Sequence, residues 1–221
     1  MKMHSLTRSA RECYHKKGSL PDALPTGHVR AGAQILSQRR KFRHFLSRSE
    51  ARREQMTMNR QFTFSRLPQN LAEMQGMHER GKNDPFVVAA LTVAALCRYG
   101  SDRDACIEMF NYLRGPRPLS PYDVQFLRDR LGGKEYKPFS FFAGAVPGNN
   151  YTPTQPYVIT ISGDENAATR ESGRCQMLIS SGGADSPRPV DLRRKGDGSW
   201  WLWDQFLLSD IRTPVKDDPW A

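Results

Sequence analysis

The chain has 221 residues, 38% of them hydrophobic, with 11 Phe, 7 Tyr and 4 Trp, so one domain with its own core needs no disulfide staples. The formal net charge of +10 invites a polyanion partner, but the excess is local: residues 1–55 hold 13 Lys and Arg against 4 Asp and Glu, residues 56–221 hold 20 against 19. No secretory h-region opens the chain and no run nears the ~20 apolar residues of a membrane span, so neither a signal peptide nor a membrane partner is expected.

Residues 1–55 carry no sustained apolar period before Gln34, and too few apolar groups to offset the entropy of ordering. A basic, mostly disordered arm is expected there, with at most a short helix near residues 33–53. Four roles fit it: a solvated tail, sequence upstream of a true start at Met56 or Met58, an arm that touches nucleic acid through phosphates, or an Arg-rich transit peptide. Residues 56–221 are expected to form a single domain.

In that domain, Met58, Arg60, Phe62 and Phe64 alternate with polar neighbours and predict a strand. Leu71, Met74 and Met77 step at helical spacing up to Gly81. Asp84 and Pro85 then open an apolar helix, NDPFVVAALTVAALCRYG, about half a membrane span long and therefore a core helix. Ser101 is the expected cap of the next helix, with Cys106, Phe110 and Leu113 on its buried face and Gly115 at its end. Ser120, Pro121 and Asp123 start a fourth helix, with Val124, Leu127 and Leu131 as its stripe. The proline- and aromatic-rich stretch from Tyr136 to Tyr157 reads as an ordered connection.

From Tyr157 the period is two. Tyr157/Ile159/Ile161, Cys175/Met177/Ile179 and Val190/Leu192 alternate with polar partners, and GDG before SWWLWDQF marks a hairpin. The fold class is therefore α+β: about four helices, then a C-terminal antiparallel meander of about four strands joined by the strand at 58–64. Such an order leaves room for a curved, cone-like sheet of the nuclear-transport-factor type, on fold analogy alone.

Several chemistries find no support. The four cysteines, Cys13, Cys97, Cys106 and Cys175, are widely separated, so no metal site, no disulfide framework and no cofactor are expected, in a reducing cytoplasmic setting. His78 is the only histidine after residue 55, and it reads as an exposed helix residue. That argues against a Ser–His–Asp mechanism.

The stretch SSGGADSPRP leads into a strand rather than a helix, unlike a phosphate loop. Its bland reading is a tight corner: glycines with positive φ, Asp185 capping the turn, Arg188 paired with an acid. Its functional reading is a ligand site in which Asp185, Ser186 and Arg188 orient a polar ligand against Trp201 or Trp203. On a strand, Trp200 and Leu202 share one face and Trp201 and Trp203 the other. A nucleic-acid platform on this region is disfavoured by its charge, 8 Lys and Arg against 10 Asp and Glu in residues 155–221.

The segments NDPFVVAALTVAALCRY, RGPRPLSPYDVQFLRDRL, PGNNYTPTQPY, SSGGADSPRPVDLRRK and LLSDIRTPVKDDPWA resemble a family of small bacterial proteins, a domain of unknown function, over roughly Met58 to Ala221. The resemblance implies a bacterial cytoplasmic protein and carries over no activity, cofactor or catalytic residue. It stops short of the arm, which favours the later start. The function expected is a non-catalytic module that binds a protein or a small polar ligand. The alternatives are a hydrolase-type enzyme with acidic residues such as Asp185 or Asp204 in a sheet pocket, and nucleic-acid binding through the arm.

Overall fold

The computed structural model describes residues 57–164 and 172–220, which belong to one compact unit, Glu50–Ala221. The expectations for residues 1–55 lie outside the described residues. In chain order the elements are β1 (Thr57–Phe64), α1 (Leu71–Gly81), α2 (Pro85–Leu96), α3 (Arg103–Arg114), α4 (Pro121–Leu131), β2 (Tyr157–Asp164), β3 (Arg174–Ile179), β4 (Arg188–Arg194) and β5 (Trp200–Gln205). The class is α+β, with four helices and a five-stranded antiparallel sheet.

The chain positions α2 first. Asp84 caps it, accepting from the Phe86 N–H at 3.0 Å, and Pro85 occupies the first turn, where its missing donor costs nothing. Every residue of α2 but Val87 is buried. A helix without a polar face must be enclosed. It lies between α1 and α3 on one side and all five strands on the other. Its one hydroxyl, on Thr92, donates back to the Val88 carbonyl at 2.9 Å. Arg60 of β1 pairs with the capping Asp84 at 2.6 Å and lies over the rings of Phe62 and Phe86, which stitches the first strand to the central helix.

The cap of α3 differs from expectation. Asp102, not Ser101, accepts from the Ala105 N–H at 3.0 Å, because a carboxylate one position later reaches that donor, while Ser101 donates to the Arg98 carbonyl. Gly115 ends α3 at φ 61°, the left-handed conformation that favours glycine. Ser120 and Asp123 form a reciprocal capping box on α4.

The sheet runs β1-β2-β3-β4-β5, each pair antiparallel, and it is open, with β1 and β5 as its edges. β1 returns to pair with β2 along its whole length, from Thr57 opposite Asp164 to Phe64 opposite Tyr157. Ile159, Ile161, Met177, Ile179, Val190, Leu192, Trp200 and Leu202 form the buried side of the sheet under α2. The alternation expected for every strand is the one observed.

His78 is a correction. It is fully buried, not exposed, because it follows Met74 by one helical turn on the buried face of α1. Its Nε2 lies 3.1 Å from the Trp200 carbonyl and must donate to it, so its Nδ1 accepts from the Tyr112 hydroxyl at 3.0 Å. The Trp200 N–H in turn donates to the Lys82 carbonyl at 2.6 Å. The end of α1 thereby covers the start of the β5 edge, whose backbone would otherwise be open to pairing.

Candidate functional site

The Gly-Gly corner lies between β3 and β4, and its contacts hold the chain that follows β5. The Arg188 Nε donates to the Ser209 carbonyl and one Nη to the Asp210 carbonyl, both at 3.0 Å. The other Nη donates to the Ser186 hydroxyl at 3.0 Å and to the Ser186 carbonyl at 3.3 Å. Asp185 pairs with Arg212. The Arg212 N–H donates to the Gly183 carbonyl at 2.9 Å, and the Tyr151 hydroxyl donates to the Arg212 carbonyl at 2.7 Å. Lys137, buried, adds a 2.9 Å bond from its Nζ to the Leu208 carbonyl, and burial lowers its pKa.

Three details of the corner are therefore corrected. Asp185 does not cap the turn, and Arg188 pairs with carbonyls rather than an acid. Neither Gly182 nor Gly183 has positive φ. They are needed for close approach instead: a Cβ at Gly182 would overlap the Ala145 carbonyl, and one at Gly183 the Tyr151 hydroxyl and Ile211.

The corner and the tryptophans are not brought together. Arg188 stands opposite Ile179, on the core side of the sheet, whereas Trp201 and Trp203 project to the other face. Trp201 packs against His78 and Tyr112, with ring centroids 4.9 and 5.8 Å away, and its indole N–H donates to the Ser199 hydroxyl at 2.7 Å. Trp203 is half-buried beneath Arg117, Arg174 and Arg193. Asp185 and Asp204 are both exposed, so neither occupies a buried sheet pocket.

A concave site lies elsewhere, where β1 ends, α1 begins and the α2–α3 turn passes. It is a cleft of about 360 Å³, within the range of small-molecule sites. Its floor is apolar, formed by Leu67, Pro68, Cys97, Phe139 and Tyr157; its wall is polar, formed by Ser65, Arg66, Gln69, Arg98, Ser101 and Gln155. The first turn of α1 shapes the rim. Asn70 caps that helix, and Glu73 accepts from the Gln69 N–H at 3.0 Å and from Arg66 at 3.1 Å. The bond from the Gln69 N–H, followed by the charges of Arg66 and Arg98, holds the Glu73 carboxyl below its usual pKa.

Arg98 is the centre of the wall. One Nη donates to Gln69 Oε1 at 2.6 Å and the other lies 3.6 Å from Asp102. Its Nε is buried and has no partner. A buried guanidinium donor without an acceptor costs about 1–3 kcal/mol; Tyr99 Oη and Trp200 Nε1 are also buried without a partner, but of the three residues Arg98 alone lines the cleft. None of the lining residues is a carboxylate or a histidine. The one thiol, on Cys97, is pushed well above its usual pKa by burial, so it is a poor nucleophile. The cleft can hold an anion and offers no proton-transfer pair. Among the described residues no group of His, Cys, Asp and Glu is placed to hold a metal ion.

Sequence reading missed this site because its lining comes from separate segments, at 65–69, 97–101, 139 and 155–157. The available signal was Arg98 itself, a cation two residues past an otherwise apolar helix.

Residues 66–215 match the family model for a domain of unknown function, DUF6935, and the chain belongs to that family. No curated protein and no solved structure matches it. No helix among the described residues is long and apolar enough to cross a membrane.

Proposed function

We propose that this chain is a non-catalytic binding module that takes a small organic anion, a carboxylate or phosphate monoester with an apolar body, in the cleft beside Arg98. The observation that carries this is a cleft whose lining holds two arginines and no acid, one of them Arg98, whose buried Nε has no acceptor. An anionic oxygen would accept from the Arg98 guanidinium, and Phe139, Tyr157 and Leu67 would cover the apolar body. Hydrogen bonds to charged groups contribute about 1.5–3 kcal/mol, on the order of ten- to a hundred-fold in Kd.

Calorimetric titration with benzoate, hexanoate and phenyl phosphate tests the reading. Saturable binding of at least one probe, weakened by that factor in Arg98→Met, is expected. No binding of any probe, or binding that ignores Arg98→Met, contradicts it.

The setting proposed is a reducing bacterial cytoplasm. Its support is the pair Cys97 and Cys106, both buried and unpaired, with Cys106 close enough to raise the pKa of Cys97. Recovery of the protein in a membrane or secreted fraction would contradict it.

A further inference from the structure

The outer face of the sheet, away from α2, carries a concentration of positive charge at its β5 edge. Arg174 and Arg193 stand opposite each other on β3 and β4, and Arg193 is opposite Trp201. Arg117 reaches the same place from the loop between α3 and α4. The guanidinium carbons of Arg117, Arg193 and Arg174 lie 4.5, 4.9 and 5.5 Å from the centre of the Trp203 ring. Lys195 adds a fourth charge, its Nζ 3.8 Å from the centre of Trp201.

Three arginines on one indole are unusual in this molecule because none of them has an ion-pair partner in contact, although the charge of Arg117 helps to lower the pKa of Asp123. Among the described residues, the guanidinium groups of Arg117, Arg174 and Arg193 have no ion pair and no hydrogen bond, and all three side chains are exposed. By contrast Arg60, Arg66, Arg114 and Arg212 each face a carboxylate. Like charges repel, and Trp203 holds them together through its ring quadrupole. The result is a preorganised set of forked donors aimed outward, the geometry that recognises phosphate and carboxylate oxygens.

We infer that this face binds the phosphodiester backbone of a nucleic acid, with Arg117, Arg174 and Arg193 as its phosphate contacts and Lys195 beside them. With three cations over the Trp203 ring, the site offers charge rather than a bare stacking platform, so the contact reads the backbone and not the base sequence. On the same outer face Gln176 donates to Asp191 at 2.8 Å, and Asp191 stands two positions before Arg193, so one acid borders the cluster; the hydroxyls and amides of Gln61, Thr160 and Ser162 lie farther off, on β1 and β2. A polyanion is favoured over a short acidic peptide because the same chain carries a further 13 Lys and Arg against 4 Asp and Glu in residues 1–55. The site lies on the edge strand opposite β1 and is independent of the cleft beside Arg98.

The test uses the full chain and a fluorescein-labelled oligothymidylate, with anisotropy followed against NaCl concentration. Each phosphate contact on a single strand contributes about 0.7 to the slope of log K against log salt. Arg117→Gln/Arg174→Gln/Arg193→Gln should therefore flatten the slope by roughly 2. The single variants guard against misfolding of the triple one, and each should flatten it by about 0.7. A charge-matched control, Arg80→Gln/Arg103→Gln/Arg130→Gln, should leave the slope near that of the unaltered chain. Equal slopes in the cluster variants and the unaltered chain would overturn the inference. So would arginine-dependent binding of labelled polyglutamate without binding of the oligonucleotide, which would assign the face to an acidic peptide.

Discussion

Arg188 and Arg98 carry the same side chain and do opposite things. At the corner, every nitrogen of the Arg188 guanidinium donates to Ser186, Ser209 or Asp210, so the group is consumed in holding the chain after β5. In the cleft, Arg98 is fixed through its Nη atoms by Gln69 and Asp102, and its Nε is left buried without an acceptor. The corner has the Gly, Ser, Asp and Arg that look like a ligand loop; the cleft has no motif. What separates a structural arginine from a binding one is which donors the fold has already used.

The comparison breaks first on stability. Arg188→Ala removes charged donors from three backbone carbonyls, those of Ser186, Ser209 and Asp210, and should cost about 2–3 kcal/mol. Gly183→Ala forces a Cβ against Tyr151 and should cost about 1–3 kcal/mol as overpacking. For a domain of this size each 1 kcal/mol lowers Tm by about 2–4 °C, so calorimetric melting of either variant should show a drop of several degrees. Unchanged melting in both would mean that the corner does not hold the C-terminal chain.

A smaller effect sharpens the role of His78, the one histidine among the described residues. Burial lowers its pKa from 6.5, partly opposed by its bond to the Trp200 carbonyl. The unfolded chain takes up this proton first as pH falls. The stability it contributes is therefore present above about pH 6.5 and declines from there through its folded pKa. Urea titrations should show that decline for the unaltered chain and its loss in His78→Gln, which itself should cost about 1 kcal/mol at neutral pH for the broken bond pair. An identical pH profile in the variant would contradict the buried, neutral ring. The acids held below their usual range, Asp123, Asp197, Glu73 and Glu79, respond only at lower pH.

The smallest effect on stability should come from Arg98→Met. The substitution loses the surface contacts to Gln69 and Asp102 but also removes an unpartnered buried donor and keeps an apolar stem, so Tm should move by no more than a degree or two, about 0.5 kcal/mol. A loss as large as that of Arg188→Ala would place Arg98 with the structural arginines.

Much of the architecture was legible because it rests on local rules. Asp84–Pro85 announced α2, Ser120–Pro121 announced α4, and the period-two runs fixed which side of each strand is buried, down to Trp200 and Leu202 inward with Trp201 and Trp203 outward. The failures are relations between distant residues. His78 lay on the Leu71–Met74 stripe, but its partners Tyr112 and Trp200 could not be read from one helix. The glycines at 182 and 183 pointed to positive φ, whereas their cause is the nearness of Ala145 and Tyr151. The low regional charge hid the cluster on Trp203 because Arg117 belongs to a loop outside that region. The cleft was invisible for the same reason, its wall and floor being assembled from four stretches of chain.

The most direct measurement compares the two arginines within one molecule, by following the Nε–H resonances of Arg98 and Arg188 in a ¹H–¹⁵N correlation spectrum during titration with a probe anion that binds. The account predicts that the Arg98 signal moves with saturation while the Arg188 signal stays in place. A stationary Arg98 signal, with the probe bound elsewhere, would contradict it.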